Sequence, residues 1–384
     1  MTRFPLTQRA LGAALLAGAA LAAAPAFAQD SYRFGLALPL TGGQALYGQD
    51  QVKAAQWAVE DINKAGGING KKLEMIVLDT QADPQVGITA VNRLVQVERV
   101  PVFVTGFSQV VKAVAPIAND NKVVEISVGA NSPNTAQLGD YVYTTYPLAD
   151  IDVVALTKYA TKEMGKKKAA VLYINNETGS VAADIYRKSF TEQGGQVVAF
   201  EAYDPKATDF TGQILKARSA GPDIVHIHGL VADTPQVIAQ MRQLGLNQPI
   251  TSYAAIYNPK LIESLGPAAE GVIVTSLAPG PEQDPQVKAY VERWKKDAGR
   301  EPNGLPYTQY LYDAPFLVAD VFKSLDKKGI KPTGDAFRTE MLAIKTFNSP
   351  VTGTTEIEAS HTVRKPVYLM QVKGGKWTHI ATLD

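Results

Sequence analysis

The chain has 384 residues, a formal net charge of +1 and no cysteine. This length exceeds what one small core requires and suggests about two domains. The near-neutral charge argues against nucleic acid or an acidic membrane surface as a partner. The lack of cysteine excludes disulfides, thiolate metal sites, a cysteine nucleophile and a lipid-modified cysteine near the N-terminus.

The first 28 residues have the pattern of a cleaved signal peptide. Arg3 and Arg9 form a positive region, residues 11–24 are apolar, and the segment Ala26-Phe27-Ala28 is a small-x-small cleavage site. A membrane anchor is the alternative, but the apolar run is shorter than the roughly 20 residues that span a bilayer. Cleavage after Ala28 would change the formal charge from +1 to −1. We therefore expect a soluble protein in the periplasm of a Gram-negative cell.

A unit of strand, loop, helix and strand begins at residue 34. Residues 34–40 form an apolar run broken by Pro39, and residues 73–78 form a second such run. Between them, apolar residues recur at helical spacing at Val52, Ala55, Val59 and Ile62. The pattern predicts a parallel sheet whose loops gather at the carboxyl ends of the strands, where ligands bind.

The same alternation continues along the chain. Further strands are predicted at residues 100–106, 123–128, 141–146, 169–174, 197–203, 224–228, 250–253 and 272–277. Helices are predicted between them, for example at residues 110–120, 210–218 and 235–244. Prolines at 279, 281 and 285 interrupt the pattern, helices return from residue 287, and final strands are predicted at 351–358 and 367–372.

Residues 169–203 repeat the order of the first unit, which indicates two lobes built alike. The predicted fold class is α/β, with two doubly wound, Rossmann-like lobes. No short fixed period occurs, so a solenoid is not indicated.

Three short motifs in the first 84 residues resemble one known family. The pair Tyr47-Gly48, the segment from Asp61 to Gly70 (DINKAGGING) and the segment from Asp79 to Pro84 (DTQADP) are similar to the Leu/Ile/Val-binding family of periplasmic receptors for ABC importers. The resemblance covers nearly all of residues 32–377 and is strongest before residue 133.

The resemblance implies a type I, Venus-flytrap architecture with three crossings between the lobes, near Pro147, Ala278 and Thr352. The first lobe would then comprise residues 29–147 and 279–352, and the second residues 148–278 and 353–384. Several thin crossings would form a hinge over a cleft. The implied function is that of a substrate-binding subunit of an ABC importer, with an inner-membrane permease as its partner, and a monomer is expected.

Patterns typical of enzymes are incomplete. The segment Gly106-Phe107-Ser108-Gln109-Val110 is a nucleophile elbow without its second glycine. His226 and His228 share one face of a strand, but without a carboxylate or third histidine nearby, packing is favoured over a metal site. No P-loop or dinucleotide fingerprint is present. We therefore expect no catalytic site, no metal and no cofactor.

Polar groups at two neighbouring strand ends suggest a carboxylate site. Ser108 follows one strand at the position of a helix N-cap, and the loop Gly129-Ala130-Asn131 follows the next. An ordinary cap and turn are the alternative. The resemblance implies that Ser108 and this loop bind the ligand's carboxylate, with Asn131 in place of the usual threonine. It also implies that Tyr47 lines the cleft, and we include Phe107 and Gln109 beside Ser108.

The second lobe departs from the family pattern. Thr178 stands where amino-acid binders carry an aromatic residue, Leu230 where tyrosine is common, and Ala254 where a glutamate pairs with the α-ammonium group. A buried ammonium group without such a partner would cost several kcal/mol. We therefore expect a carboxylate ligand without a free α-amino group, such as an aromatic or 2-oxo acid, beside an apolar wall of Tyr253, Tyr257 and Leu230.

One alternative keeps an amino acid as the ligand. In that case the alignment would be offset by a few residues, and Glu177 or Asp233 would supply the missing negative charge.

Two other classes of function remain open from the sequence. The same fold serves sensor subunits that present a ligand to a signalling partner, and an exported hydrolase is a further, less favoured alternative.

Overall fold

The computed structural model describes residues 31–383. The predicted signal peptide and its cleavage site lie outside these residues. Within them, fourteen strands and eleven α-helices alternate along most of the chain.

The strands are as follows, in chain order: β1 (Tyr32–Leu38), β2 (Leu73–Asp79), β3 (Val102–Thr105), β4 (Val124–Ser127), β5 (Val142–Thr144), β6 (Lys168–Ile174), β7 (Gln196–Tyr203), β8 (Ile224–His228), β9 (Ile250–Ser252), β10 (Ile273–Ser276), β11 (Thr346–Ser349), β12 (Gly353–Glu356), β13 (Val367–Lys373) and β14 (Lys376–Leu383).

The helices are as follows: α1 (Ala45–Lys64), α2 (Pro84–Asn92), α3 (Ser108–Asn121), α4 (Ala149–Lys158), α5 (Glu177–Glu192), α6 (Thr211–Ser219), α7 (Thr234–Gln243), α8 (Pro259–Leu265), α9 (Pro285–Ala298), α10 (Leu305–Lys327) and α11 (Gly334–Ile344).

The first sheet contains β1 to β5 in the order β2-β1-β3-β4-β5, and all of its strand pairs are parallel. Every residue of β3 and β4 is buried. Helices cover both faces of such a sheet, so its central strands are buried on both sides, and this burial includes Glu125 and Ser127 of β4.

The second sheet has the order β14-β13-β10-β9-β8-β6-β7. Its strands β6 to β10 are parallel and repeat the order of the first sheet, whereas β13 and β14 add an antiparallel edge. The prediction of two doubly wound lobes built alike is therefore confirmed. In both lobes the carboxyl ends of the parallel strands are where a ligand site is expected.

The motifs that resemble the receptor family have structural roles in the first lobe. Asp61 binds Arg293 of α9 at 2.5 Å and accepts a hydrogen bond from the Tyr312 hydroxyl of α10 at 2.8 Å. The Asp79 carboxylate accepts a hydrogen bond from the backbone N–H of Leu40 at 2.8 Å. Asp83 is the N-cap of α2 and accepts from two backbone N–H groups. Asp61 thus joins α1 to α9 and α10, whereas Asp79 and Asp83 fix the loops that follow β1 and β2.

Helices from the last third of the chain pack against α1 and β1. Trp57 of α1 contacts Trp294 of α9 with ring centroids 4.7 Å apart, and Tyr32 contacts Phe322 of α10 at 4.9 Å. A return of the chain to the first lobe after residue 287 was expected from the helical pattern there.

The prediction of a single strand over residues 351–358 is wrong in its extent. The structure has a two-stranded hairpin of β11 and β12, and residues 350–352 form its turn. The buried carboxylate of Asp313 accepts hydrogen bonds from the backbone N–H groups of Val351 at 3.0 Å and Thr352 at 2.7 Å. Because these two groups bond to a side chain, they are not available to a neighbouring strand.

Membrane spans were also sought along residues 31–383. None of the helices there combines the length and the apolar character that crossing a bilayer requires.

Candidate functional site

A cavity lies between the two lobes, where the parallel strands of both sheets end. Its walls come from segments that are far apart in the sequence. They are formed by Gln44, Tyr47, Gln51, Phe107, Ser108, Val128, Gly129, Asn131, Thr178, Leu230, Val231, Tyr253, Ala255 and Tyr307.

Ser108 lies at the junction of β3 and α3. It is the first residue of the helix rather than its N-cap, which is Phe107, and its side chain makes no capping bond. Phe107 turns the chain with φ of 67°, a conformation that is uncommon for a residue other than glycine. The Ser108 hydroxyl oxygen accepts a hydrogen bond from the backbone N–H of Ser132 at 3.2 Å. Its own hydrogen is therefore free to be donated to a group in the cavity.

The loop after β4 forms the adjacent part of the wall. Gly129 has φ of +86°, and a Cβ atom there would lie 2.8 Å from Cδ1 of Tyr307. Glycine thus satisfies both the backbone turn and the close approach of the ring. The side-chain nitrogen of Asn131 is buried and has no hydrogen-bond partner among the described residues. A buried donor of this kind is satisfied when a ligand atom accepts from it.

Tyr47 connects the two lobes across the cavity. Its hydroxyl donates to the carbonyl oxygen of Ala255 and accepts from Nδ2 of Asn258 at 2.7 Å. Burial raises the pKa of Tyr47 well above its usual value, so the hydroxyl keeps its proton. The next residue, Gly48, has no room for a side chain, because a Cβ atom at that position would lie 1.6 Å from the carbonyl oxygen of Pro39.

Sequence reasoning missed six residues of the wall. Gln44 and Gln51 lie three residues before and four residues after Tyr47, at spacings that place them with it on one helical face. The side-chain oxygen of each is buried, and no described residue bonds to it. This spacing could have identified both glutamines. The other four residues had no such signal: Val128, Val231, Ala255 and Tyr307.

The second lobe contributes mainly apolar groups. Leu230, Val231 and Ala255 line the cavity, together with Thr178 and the Tyr253 ring. The Tyr253 ring is stacked on the imidazole of His228 with ring centroids 3.9 Å apart. The expected apolar wall therefore includes Tyr253 and Leu230.

Four of the predicted ligand contacts lie outside this wall. Gln109 accepts a hydrogen bond from the Thr178 hydroxyl at 3.2 Å and donates one to the carbonyl oxygen of Ala82 at 3.2 Å, so its amide is engaged. Ala130 packs in a small core cluster beneath α3, and Ala254 is completely buried.

Tyr257, the fourth, packs edge-on against Trp377 with ring centroids 5.3 Å apart. It lines a different and wider cavity. A short 3-10 turn at Ala254–Ile256 directs Tyr253 and Tyr257 to these different places.

The two acidic residues that an offset alignment would offer as the negative charge, Glu177 and Asp233, both lie outside the cavity lining. The Glu177 carboxylate binds Lys112, Ser132 and Asn134 at the edge of the cleft. Oδ1 of Asp233 accepts hydrogen bonds from the backbone N–H groups of Leu230 at 2.6 Å and Thr234 at 2.8 Å, whereas its Oδ2 is buried and has no hydrogen-bond partner among the described residues. Neither residue lines the cavity, and each lining side chain that the structure describes is uncharged in its ordinary form at neutral pH.

The two histidines of β8 are buried side by side. Nε2 of His226 lies 3.3 Å from Nδ1 of His228, and His226 stacks on Tyr186 with ring centroids 4.2 Å apart. Burial lowers the pKa of His226 to about 3, which keeps its imidazole neutral. No group of three or more potential ligand residues suited to a metal occurs within residues 31–383. The rings of the pair stack on Tyr186 and Tyr253.

Comparison with known proteins places this geometry in a family. The sequence pattern of the periplasmic binding protein family matches residues 31–376. "Leu/Ile/Val-binding protein homolog 1" of Brucella suis biovar 1 is 30% identical over 315 residues, which cover 81% of this chain and 84% of that protein.

Two solved structures have the same fold along most of their length. A leucine-binding protein from Thermotoga maritima is 26% identical with a TM-score of 0.83, and the match covers 92% of this chain and 99% of that one. The solute-binding protein of an ABC transporter from Rhodopseudomonas palustris BisB5, in complex with 3,4-dihydroxy benzoic acid, is 25% identical with a TM-score of 0.80, with 92% and 97% covered. The chain belongs to the periplasmic binding protein family and is a two-lobed, substrate-binding protein of the type I, Leu/Ile/Val-binding-protein-like class.

Proposed function

We propose that the protein is the solute receptor of an ABC importer and that it binds a small monocarboxylate without an α-ammonium group. The ligand would lie between the lobes and be delivered to an inner-membrane permease. The observation that carries this proposal is the chemistry of the cavity: among its described lining residues, hydrogen-bond donors lie on one side and no acidic side chain lies on the other.

The donors are suited to a carboxylate. The Ser108 hydroxyl has its oxygen already bonded to Ser132, so its hydrogen remains for the ligand. The unpartnered nitrogen of Asn131 lies in the same wall, and the N-terminus of α3 adds a positive dipole end. Neutral donors of this kind stabilise an anion without a counter-charge.

The opposite wall is unsuited to an ammonium group. Leu230, Val231 and Ala255 present hydrocarbon to the ligand, and the Glu177 and Asp233 carboxylates lie outside the lining of the cavity. A buried ammonium group there would lose several kcal/mol of hydration without a compensating charge. A 2-oxo acid or an aromatic acid avoids this cost.

The polar amides beside Tyr47 favour a ligand with a second polar group. Gln44 and Gln51 carry side-chain oxygens without partners in the part of the chain that the structure describes, and either end of an amide can face a ligand. A ring hydroxyl would satisfy one of them. The related Rhodopseudomonas palustris protein was crystallised with such an acid, which supports hydroxylated aromatic acids as candidates.

A matched pair of ligands tests the proposal. Leucine and 4-methyl-2-oxopentanoate differ only in the group at Cα, so they separate the effect of the ammonium group from that of the side chain. We expect 4-methyl-2-oxopentanoate or 4-hydroxybenzoate to raise the melting temperature by several degrees and leucine to leave it unchanged. The dissociation constants should then be measured by calorimetry. Stabilisation by leucine with no effect of either acid would contradict the proposal.

The remaining elements of the function are part of the same proposal. We propose export through the predicted signal peptide with cleavage after Ala28, and lobe boundaries near Pro147, Ala278 and Thr352. N-terminal sequencing of protein from a periplasmic extract tests the cleavage site.

A further inference from the structure

Glu177 joins the second lobe to the first at the edge of the cavity. It is the first residue of α5, and its carboxylate contacts three side chains of the first lobe. Nζ of Lys112 lies 2.8 Å from Oε2, while Oγ of Ser132 donates to Oε1 at 3.0 Å and Nδ2 of Asn134 donates to Oε1 at 2.7 Å. Both carboxylate oxygens therefore have partners on the opposite lobe.

The surroundings of Glu177 keep it ionised. Its side chain is 13% exposed, whereas that of Lys112 is 55% exposed. Burial acts to raise the pKa of Glu177, but the hydrogen bonds from Lys112, Asn134 and Ser132 outweigh it, and the pKa is lowered. The two short-chain donors fix the direction of the carboxylate, which a surface ion pair alone would not.

Ser132 connects this contact to the ligand site. Its hydroxyl donates to Glu177, and its backbone N–H donates to the Ser108 hydroxyl oxygen at 3.2 Å. That second bond leaves the Ser108 hydrogen for the ligand. One residue thus takes part both in the contact between the lobes and in the orientation of the proposed carboxylate donor.

Building on the proposed function, we propose that Glu177 is a positioning residue that couples closure of the lobes to binding of the ligand's carboxylate. Opening the lobes breaks the Glu177 bonds and releases Ser132. Closing them holds Ser132 in the arrangement that orients Ser108. The ligand and Glu177 therefore favour the same closed state, each through Ser132.

The contact at Tyr47 differs from the one at Glu177. Tyr47 bonds to Ala255 and Asn258 of the second lobe, and neither bond involves Ser132. Removing the Glu177 contact is therefore expected to weaken closure without abolishing it, and to do so at the carboxylate end of the cavity.

The natural lack of cysteine allows closure to be measured directly. Gln85 and Lys206 are exposed and follow the carboxyl ends of β2 and β7, one in each lobe. Spin labels at Gln85→Cys and Lys206→Cys report the distance between the lobes by pulsed electron paramagnetic resonance. The distance is measured without ligand and with 4-methyl-2-oxopentanoate.

Glu177→Ala is expected to lower the ratio of closed to open molecules about tenfold, the effect of about one charge-assisted hydrogen bond. Glu177→Lys should lower it further because Lys112 then faces a like charge. The double variant Lys112→Glu with Glu177→Lys should recover at least about half of the loss, since the exchanged side chains can form an ion pair of reversed polarity. The rate of ligand dissociation should follow the same order.

Glu192→Ala is the matched control, because this glutamate lies in the same helix and its contact is with Lys188 of that helix. It should leave the distance distribution unchanged. Distributions that are identical in the wild type and in all Glu177 variants would overturn the proposal, as would a wild type that stays open in both conditions. If the acid does not bind but the variants still change the ligand-free distribution, the ligand assignment fails and the role of Glu177 in closure stands.

Discussion

The two walls of the cavity are chemically unlike, although the two lobes share one topology. The first lobe presents hydroxyl and amide groups from Gln44, Ser108 and Asn131, whereas the second presents mainly hydrocarbon from Leu230 and Val231. Both walls lie at the carboxyl ends of parallel strands. The comparison teaches that topology determines where a ligand lies, while a few side chains at strand ends determine which charge it carries.

The chemical difference between the two walls also suggests a different role for each lobe in binding. Under the proposed function, the polar wall would fix the orientation of an anion, because its Ser108 donor is held by the backbone N–H of Ser132. The apolar wall excludes water and provides shape. Three predictions follow the comparison, the first directed at the polar wall.

Ser108→Ala removes the hydroxyl donor of the polar wall. Because a hydrogen bond to a charged group contributes about 1.5–3 kcal/mol, we expect the dissociation constant of the stabilising acid to rise roughly 10- to 100-fold. Calorimetric titration measures the change. Ser219→Ala on α6 is the control, since its hydroxyl bonds to the carbonyl oxygen of Leu215 outside the cavity. An unchanged constant for Ser108→Ala would show that the carboxylate lies elsewhere.

Leu230→Glu would give the apolar wall the negative charge that it lacks. We expect the 2-oxo acid to bind about tenfold more weakly through like-charge repulsion, and leucine to gain affinity by a similar factor. Leu230→Gln is the matched control, with the same shape but no charge, and should not improve leucine binding. The comparison of walls would be wrong if both variants behaved alike in titrations at pH 8.

Asp152 is an acidic residue buried in the second lobe, in contrast to the uncharged side chains that line the cavity. Burial raises its pKa from 3.8 to about 7, although the Thr275 hydroxyl donates to Oδ2 at 2.7 Å. The folded protein therefore holds a proton that the unfolded chain releases above pH 3.8. This contribution to stability is fully present below that pH and is lost as the pH rises through about 7.

Asp152→Asn should remove this dependence on pH. From pH 5 to pH 8, the wild type should lose about 1–3 kcal/mol in the free energy of unfolding that the variant does not lose. Urea unfolding at the two values measures it, with Asp150→Asn, an exposed neighbour in the same helix, as the control. A wild type and Asp152→Asn variant with parallel pH profiles would contradict the assignment.

Much of the fold was predictable because its signals are local. Apolar runs predicted strands within a few residues of β1, β6 and β8, and capping residues such as Asp83 explain where helices begin. The turn at residues 350–352 was not predictable, because its backbone N–H groups bond to Asp313, about 38 residues earlier in the chain.

The site was predictable in part for the same reason. Ser108 and Gly129 lie at strand ends that the alternating pattern identifies, and Asn131 follows Gly129 in the loop after β4. Tyr257 was expected at the cavity but lies against Trp377, since a short turn separates it from Tyr253.

The sequence by itself determined the two-lobed α/β architecture and the family. The tertiary structure alone decided which side chains meet in the cavity. Tyr47 and Ala255 are 208 residues apart, and Tyr307 comes from a third segment. Hydrophobic periodicity and helix caps reflect interactions between residues one or two helical turns apart. The cleft is instead formed by segments that are distant in the sequence and that the two lobes bring together.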